Sequence, residues 1–311
     1  MAADASALSE RQKQFLERAR ATLTGFAREH GAGLMSDSVE MEFPSASLDA
    51  NGRPRFSMAL PPSLVVNDLG AAHVFYHDVA GRGFEFPTRR FIDLHLRSDD
   101  VFVDVGAHWG VHSLTAASLR PGQVSVLAME PHPDNSRRFQ SWIDRNQLQA
   151  DIELIPKAIG DREGAARLWV SASSMAHHLR EKPSEAGMTA IEVAMTTLDR
   201  VLHDRPHLRW RRFILKIDVE GHEAEVLRGA RHLFSSEDVA AVLWEKATFY
   251  ETGLQTQRDD AVVDFLSTRG FAHFRMEDEH RGGRLIPLAG NDWSGNVFSL
   301  ARGFEANDLY E

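Results

Sequence analysis

The stretch Val101-Phe-Val-Asp-Val-Gly-Ala-His-Trp-Gly110 limits the fold of this chain more than any other. A continuous apolar run leads through Asp104 into two glycines that frame a tight turn, and a segment of helical pattern follows. Apolar runs without alternation are buried on both faces, the condition of a strand inside a parallel sheet. In open sheets of that kind, ligands bind beyond the carboxyl ends of the strands. Gly106 removes a side chain where backbone approaches a ligand, and the helix beyond begins with free N–H groups. The next apolar run, Val124-Ser-Val-Leu-Ala-Met, ends at Glu130. A carboxylate there can hold both hydroxyls of a ribose.

Glycine spacing narrows the ligand. Dinucleotide sites use G-x-G-x-x-G because a pyrophosphate lies against bare backbone. Here Gly106-Ala-His-Trp-Gly110 carries bulky residues where the second glycine would stand, and no G-x-x-x-x-G-K-[ST] occurs. A ligand with an adenosine ribose and no phosphates fits, and S-adenosylmethionine is the common one. A nicotinamide-dependent oxidoreductase on a related sheet is the alternative that this spacing opposes, and a cofactor-binding partner protein without catalysis is another.

From Val101 onward, strand and helix patterns alternate, which argues an α/β fold with a mostly parallel sheet and helices on both faces. The expected order is a helix over Val111–Leu119, a helix opened by Pro131-His-Pro-Asp-Asn135, and a strand at Ile152–Ile155. An inserted hairpin at Ala166–Val170 and Ile191–Met195 follows, joined by the loop Ser171–Met188. Then come strand Phe213–Asp218, one helix over Val219–Phe234, strand Val239–Glu245, helix Asp259–Arg269 and strands Phe271–Met276 and Asn296–Ala301. Ahead of this lie an amphipathic helix at Ser6–His30, a linker over 31–62 and β-rich runs, His73–Tyr76 and Phe84–Phe86, that suggest a small hairpin. The division is a lead-in over residues 1–96 and a ligand-binding domain over 97–311.

The chain has 311 residues, 43% of them hydrophobic, and a net charge of −10 without a Lys/Arg block. Nucleic acid and anionic membrane are therefore poor partners, and a small-molecule acceptor is expected, with a homodimer as the alternative association. The absence of cysteine excludes disulfides and thiolate chemistry. The start Met1-Ala-Ala-Asp-Ala lacks a basic, then apolar leader, and no run reaches the ~20 apolar residues of a membrane span, so the expected location is cytoplasmic.

Four core strands end in acids: Asp104, Glu130, Asp218 and Glu245. Together these ends line one crevice with work for carboxylates, whether a ribose, an ammonium, a proton or a metal.

The chain resembles the FkbM-type S-adenosylmethionine-dependent methyltransferases. Val103–Gly110, Glu130-Pro-His-Pro133, Ala158–Gly164, Thr197-Leu-Asp-Arg200 and Leu215–Gly229 carry the resemblance, over about residues 97 to 301. It implies a Rossmann-like methyltransferase sheet and O-methylation of a small molecule, often a sugar or natural product. It also implies that Asp104 and the loop of Gly106, Ala107, His108 and Gly110 meet the methionine end of the cofactor. Glu130, with Pro131 beside it, would hold the ribose, Ala158 and Ile159 would flank the adenine, and Asp218 would face the reacting centre. The candidates to take a hydroxyl proton are Asp218, Glu220, His222 and Glu245, with His222 best matched to neutral pH. A metal-assisted variant would place Mg²⁺ on Asp218, Glu220 and Glu245.

Overall fold

The structure, a computed structural model, describes residues 10–30, 40–171, 177–179, 188–236, 238–246, 252–278, 282–289 and 295–305. The lead-in begins with α1 (Glu10–His30) and continues through the antiparallel pair β1 (Met41–Pro44) and β2 (Ser57–Leu60), inside what the sequence suggests is a linker. Three helices follow: α2 (Pro62–Asn67), α3 (Leu69–Ala80) and α4 (Phe86–His95). In place of the hairpin expected from His73–Tyr76 and Phe84–Phe86, the chain forms α3 and the start of α4. His73–Tyr76 lies within α3, which Asp68 caps by accepting from the Ala71 N–H at 2.8 Å. α3 buries Ala71, Ala72, Val74 and Phe75 together, so its apolar residues show neither clear period. α4 starts at Phe86-Pro87, where proline suits a helix's first turn.

The core then runs through β3 (Val101–Val105), α5 (Val111–Leu119), β4 (Ser125–Met129), α6 (Pro133–Arg145) and β5 (Ile152–Ile155). β6 (Ala158–Ile159), β7 (Gly164–Val170) and β8 (Thr189–Thr196) make a separate three-stranded sheet, which contains the expected hairpin. After α7 (Leu198–His203) come β9 (Arg212–Ile217), α8 (Glu223–Arg228), α9 (Arg231–Ser236), β10 (Asp238–Lys246) and α10 (Thr252–Ser267). β11 (Ala272–Asp278), β12 (Gly282–Pro287) and β13 (Gly295–Leu300) finish the described elements.

The main sheet has the order β12-β11-β13-β10-β9-β3-β4-β5. Its five strands from β10 to β5 are parallel, and β13, β11 and β12 add antiparallel. The chain leaves β3 outward to β4 and β5, then returns to β9 on β3's other side. That reversal opens a crevice at the strand ends beside β3, the place where such sheets bind ligands.

Both faces of the sheet are covered. One buried cluster joins Leu23, Phe26, Phe43, Phe75 and Phe91 of the lead-in to Phe102, Trp142, Ile214 and Phe298. The other face packs Val103, Leu127, Leu215 and Trp244 against Val226, Leu227 and Leu266. Among the described residues, no helix is long and apolar enough to cross a membrane.

The segment Val219–Phe234 is two short helices rather than the one expected. A Cβ on Gly229 would stand 2.0 Å from the Gly160 carbonyl oxygen, so the chain breaks there to pass close to the β6 connection. Asp199 then caps α9, accepting from the His232 and Leu233 N–H groups at 2.9 Å each. The Thr197–Arg200 motif therefore includes a structural cap.

Candidate active site

Three strand ends build the cleft. Gly106 and Ala107 donate their N–H groups to the Met129 carbonyl at 2.9 and 3.0 Å, and Asp218 donates to Val105 at 2.9 Å. The loops after β3 and β9 therefore touch. Gly106 has φ +82°, and a Cβ there would fall 1.8 Å from the Asp218 carbonyl oxygen. Its glycine is required by neighbouring backbone, a reason the sequence alone does not reveal. Gly110 serves packing too, since a Cβ would meet the Phe139 ring at 1.9 Å. Asp104 is fully buried below the loop and accepts from the Ser113 hydroxyl at 2.6 Å. Trp109 turns into the core, where its Nε1–H donates to Asn135 at 3.0 Å.

Glu130 is held from two sides. The His108 N–H donates to one oxygen at 2.9 Å and the His132 N–H to the other at 2.8 Å. The Asn135 amide also donates, at 3.5 Å, to the oxygen that accepts from His132, so the oxygen that accepts from His108 keeps a lone pair for a ligand hydroxyl. Burial pushes the Glu130 pKa up to about 7, against the pull of those hydrogen bonds. Around it the cleft is lined by Gly106, His108, Met129, Pro131, Ala158, Ile159, Asp218 and Glu220. Asp104, Ala107 and Gly110 support this lining from behind.

His177, His178, Leu179 and Leu168 also line the cleft, brought there by the inserted hairpin. Nothing in the sequence assigns Leu168 or Leu179 to the site, and the histidines read as candidates for substrate contact. The rest of the loop, residues 172–176 and 180–187, lies outside the described residues.

On the β9–β10 side, Asp218, Glu220 and Glu245 come together, one carboxylate oxygen of each within 4.8 Å of the others. The buried Lys216 Nζ donates to Asp218 at 2.8 Å. Burial opposes the lysine's charge, yet Asp218, Glu85 and Asp104 outweigh it and hold the pKa above the ordinary lysine range. Glu85 arrives from the lead-in with its backbone left-handed (φ 44°), accepting from or sharing a proton with His112 Nε2 at 2.9 Å. Burial would raise its pKa, but Lys216 and His112 bring it down to about 2. No spacing marks this residue in the sequence. Glu245 moves the other way: burial, then the charges of Asp218, Glu220 and Glu85, push it well above the ordinary carboxylate range.

His222 stands apart from that group. It opens α8 without a side-chain cap bond, and its Nδ1 lies 3.6 Å from Glu225. Burial lowers its pKa, and the charges that act on it are Glu225, Arg258, Asp161 and Arg228. The structure thus brings Asp218 and Glu245 together and sets His222 toward the β6 side.

Residues 104–278 match the family model described as the methyltransferase FkbM domain. The hexuronic acid methyltransferase AglP of Haloferax volcanii is 28% identical over 148 residues, which is 46% of this chain and 55% of that protein. The matched stretch thus spans about half the length of that relative. The crystal structure of methyltransferase FkbM from Methylobacillus flagellatus KT has 19% identity and a TM-score of 0.44, covering 76% of this chain and 52% of its own. The O-methyltransferase from Bacillus cereus, in complex with SAH, has 11% identity and a TM-score of 0.44, over 75% of this chain and 86% of its own.

Proposed function

The chain belongs to the methyltransferase FkbM family, and on that premise we propose that it binds S-adenosylmethionine and methylates a hydroxyl of a small, sugar-like molecule. The observation that carries the reading is the Glu130 carboxylate, fixed by two backbone N–H groups beside the Gly106 turn. This arrangement fits a ribose, and the apolar residues Met129, Ala158 and Ile159 beyond it fit a base. A bound S-adenosylmethionine would supply an electrophilic methyl group on a sulfonium.

The residues of the chain supply alignment and a proton acceptor. Positioning of reacting groups is worth up to ~7–11 kcal/mol. Lys216 holds the Asp218 side chain in place at the cleft. Glu245, whose proton affinity is raised by burial and by the neighbouring acids, is the candidate to take the hydroxyl proton. A sugar hydroxyl as acceptor is supported by that base and by the name of the Haloferax volcanii relative.

Calorimetry with S-adenosylmethionine tests the reading. The parent chain is expected to bind it, and Glu130→Ala to lose about 1–3 kcal/mol of binding, the worth of hydrogen bonds to a charged group. Ribose hydroxyls favour the ionised carboxylate, so they lower the Glu130 pKa from about 7. Affinity should then rise with pH up to about 7 and level off above it, changing by at most about tenfold per pH unit. Binding near pH 7 should release protons, read from the dependence of heat on buffer. Unchanged affinity in Glu130→Ala, or preference for NAD, would overturn the assignment.

A second reading gives Asp218, Glu220 and Glu245 to a divalent ion, since Mg²⁺ takes oxygen ligands. Turnover that disappears with a chelator and returns with Mg²⁺ would establish it. With Lys216 already neutralising Asp218, the expected result is turnover that a chelator leaves unchanged.

A further inference from the structure

Glu85 lies outside the region that matches the family model, which begins at residue 104. Its backbone is held at several points. Asp78, whose side chain is fully buried, accepts from the Phe84 N–H at 3.1 Å and from Arg89 Nη1 at 2.7 Å. The Gly83 N–H donates to the His77 carbonyl at 2.8 Å, and the Arg89 N–H to that of Glu85 at 3.2 Å. Between these anchors Glu85 takes a left-handed backbone (φ 44°, ψ 50°), which a residue other than glycine keeps only where its surroundings impose it. Its Oε2 meets His112 Nε2 at 2.9 Å, in the first turn of α5.

The register of the sheet sets what stands opposite. Asp104 and Lys216 are direct neighbours across β3 and β9, and Lys216 is paired with Leu243 of β10. Alternate residues of a strand share a face. Asp104, Lys216 and Glu245 therefore stand on the face of Phe102, Ile214 and Leu243, the one that the lead-in covers. The largest charges acting on Glu245 are Asp218, Glu220 and Glu85, ahead of Lys216. Against burial, Lys216 and His112 bring the Glu85 pKa down to about 2, so it is a carboxylate at neutral pH.

We propose that Glu85 determines acceptor specificity: it turns this side of the cleft against anionic acceptors and toward sugars that are neutral or carry an amine. The inference rests on the cleft being the site of methyl transfer to a sugar-like molecule, and it names the charge that molecule can bear. An acceptor with a carboxylate would meet Asp218, Glu220, Glu245 and Glu85, with Lys216 already hydrogen-bonded to Asp218. Like charges brought together away from water repel strongly. A bound S-adenosylmethionine brings one net positive charge, which does not offset them all. A hydroxyl has no charge to oppose, and an ammonium would be drawn to the same group.

The test uses the full chain, S-adenosylmethionine and three probes that differ only at carbon 6: methyl glucoside, its 6-amino-6-deoxy form and its uronic acid. Methyl transfer is read as kcat/KM at pH 8, above the range in which imidazole ordinarily titrates. The parent should use the uronic acid at least about tenfold less well than the glucoside, the effect of one unit charge at several ångströms. The amine should serve no less well than the glucoside. Glu85→Gln keeps an oxygen for His112 and should narrow the gap between uronic acid and glucoside by about the same factor. A purely structural role would lower all three rates together and leave their ratios as they are. The comparison within the parent needs no variant to fold. A parent that uses the uronic acid as well as the glucoside would overturn the inference, and so would unchanged ratios in a folded Glu85→Gln. Transfer to none of the three, by a chain that binds S-adenosylmethionine, would overturn the sugar-like acceptor itself and this inference with it.

Discussion

Gly106→Ala is expected to destroy the cofactor cleft and to destabilise the whole chain. An L side chain in the left-handed region costs about 1–2 kcal/mol. Overpacking a tight site adds about 1–3 kcal/mol. The second term is hard to relieve here, because the atom 1.8 Å from the new Cβ is the Asp218 carbonyl oxygen. A side chain could rotate away, but a carbonyl moves only if the loops after β3 and β9 separate. That separation would shift Gly106 and Asp218, which share the cleft wall. Urea denaturation should show the combined loss, and calorimetry should show no S-adenosylmethionine binding. A variant with parental stability and affinity would mean that this contact is far softer than its geometry states.

Asp218→Asn is expected to lower turnover by weakening the Glu245 base, by less than the ~10²–10⁴ that a positioned acid–base group contributes, with a smaller effect on cofactor affinity. The amide keeps the shape and can still accept from Lys216, but it removes the charge facing Glu245. Because Asp218 is the largest of the charges that raise the Glu245 pKa, that pKa should fall in the variant. The acid limb of the residual rate profile would then move to lower pH, a signature that loss of structure would not produce. His222→Ala should change the profile much less, since the largest charges acting on His222 are Glu225, Arg258, Asp161 and Arg228 on the β6 side. Normal turnover by Asp218→Asn with the true acceptor would mean that the Asp218 charge does not set the basicity of Glu245.

Much of this site is legible in sequence because its parts are local. An apolar run that ends in an acid specifies both a buried strand and what stands at its tip, as at Glu130 and Asp218. Glu85 and Leu179 are not legible, since each meets the cleft through contacts distant along the chain, whereas His177 and His178 read as candidates for substrate contact. Gly106 and Gly110 illustrate a different limit. Their spacing marks a tight turn, but the Asp218 carbonyl and the Phe139 ring that forbid a side chain belong to other elements. α3 escapes pattern reading because its neighbours take up apolar side chains on several sides, which erases the helical period.

The shared core on one face of the sheet bears on how such proteins can be recombined. The family match begins at residue 104, within β3, yet Phe102 of that strand packs in the same cluster as Phe75, Phe91 and Phe43. The hydrophobic core therefore runs across the boundary of the matched region. A chimera spliced at that boundary would join two half-interfaces shaped for different neighbours. A chimera that keeps this core intact would carry the helices α2 to α4 with the strands they cover. Glu85, which reaches Lys216 from that same segment, would be carried along.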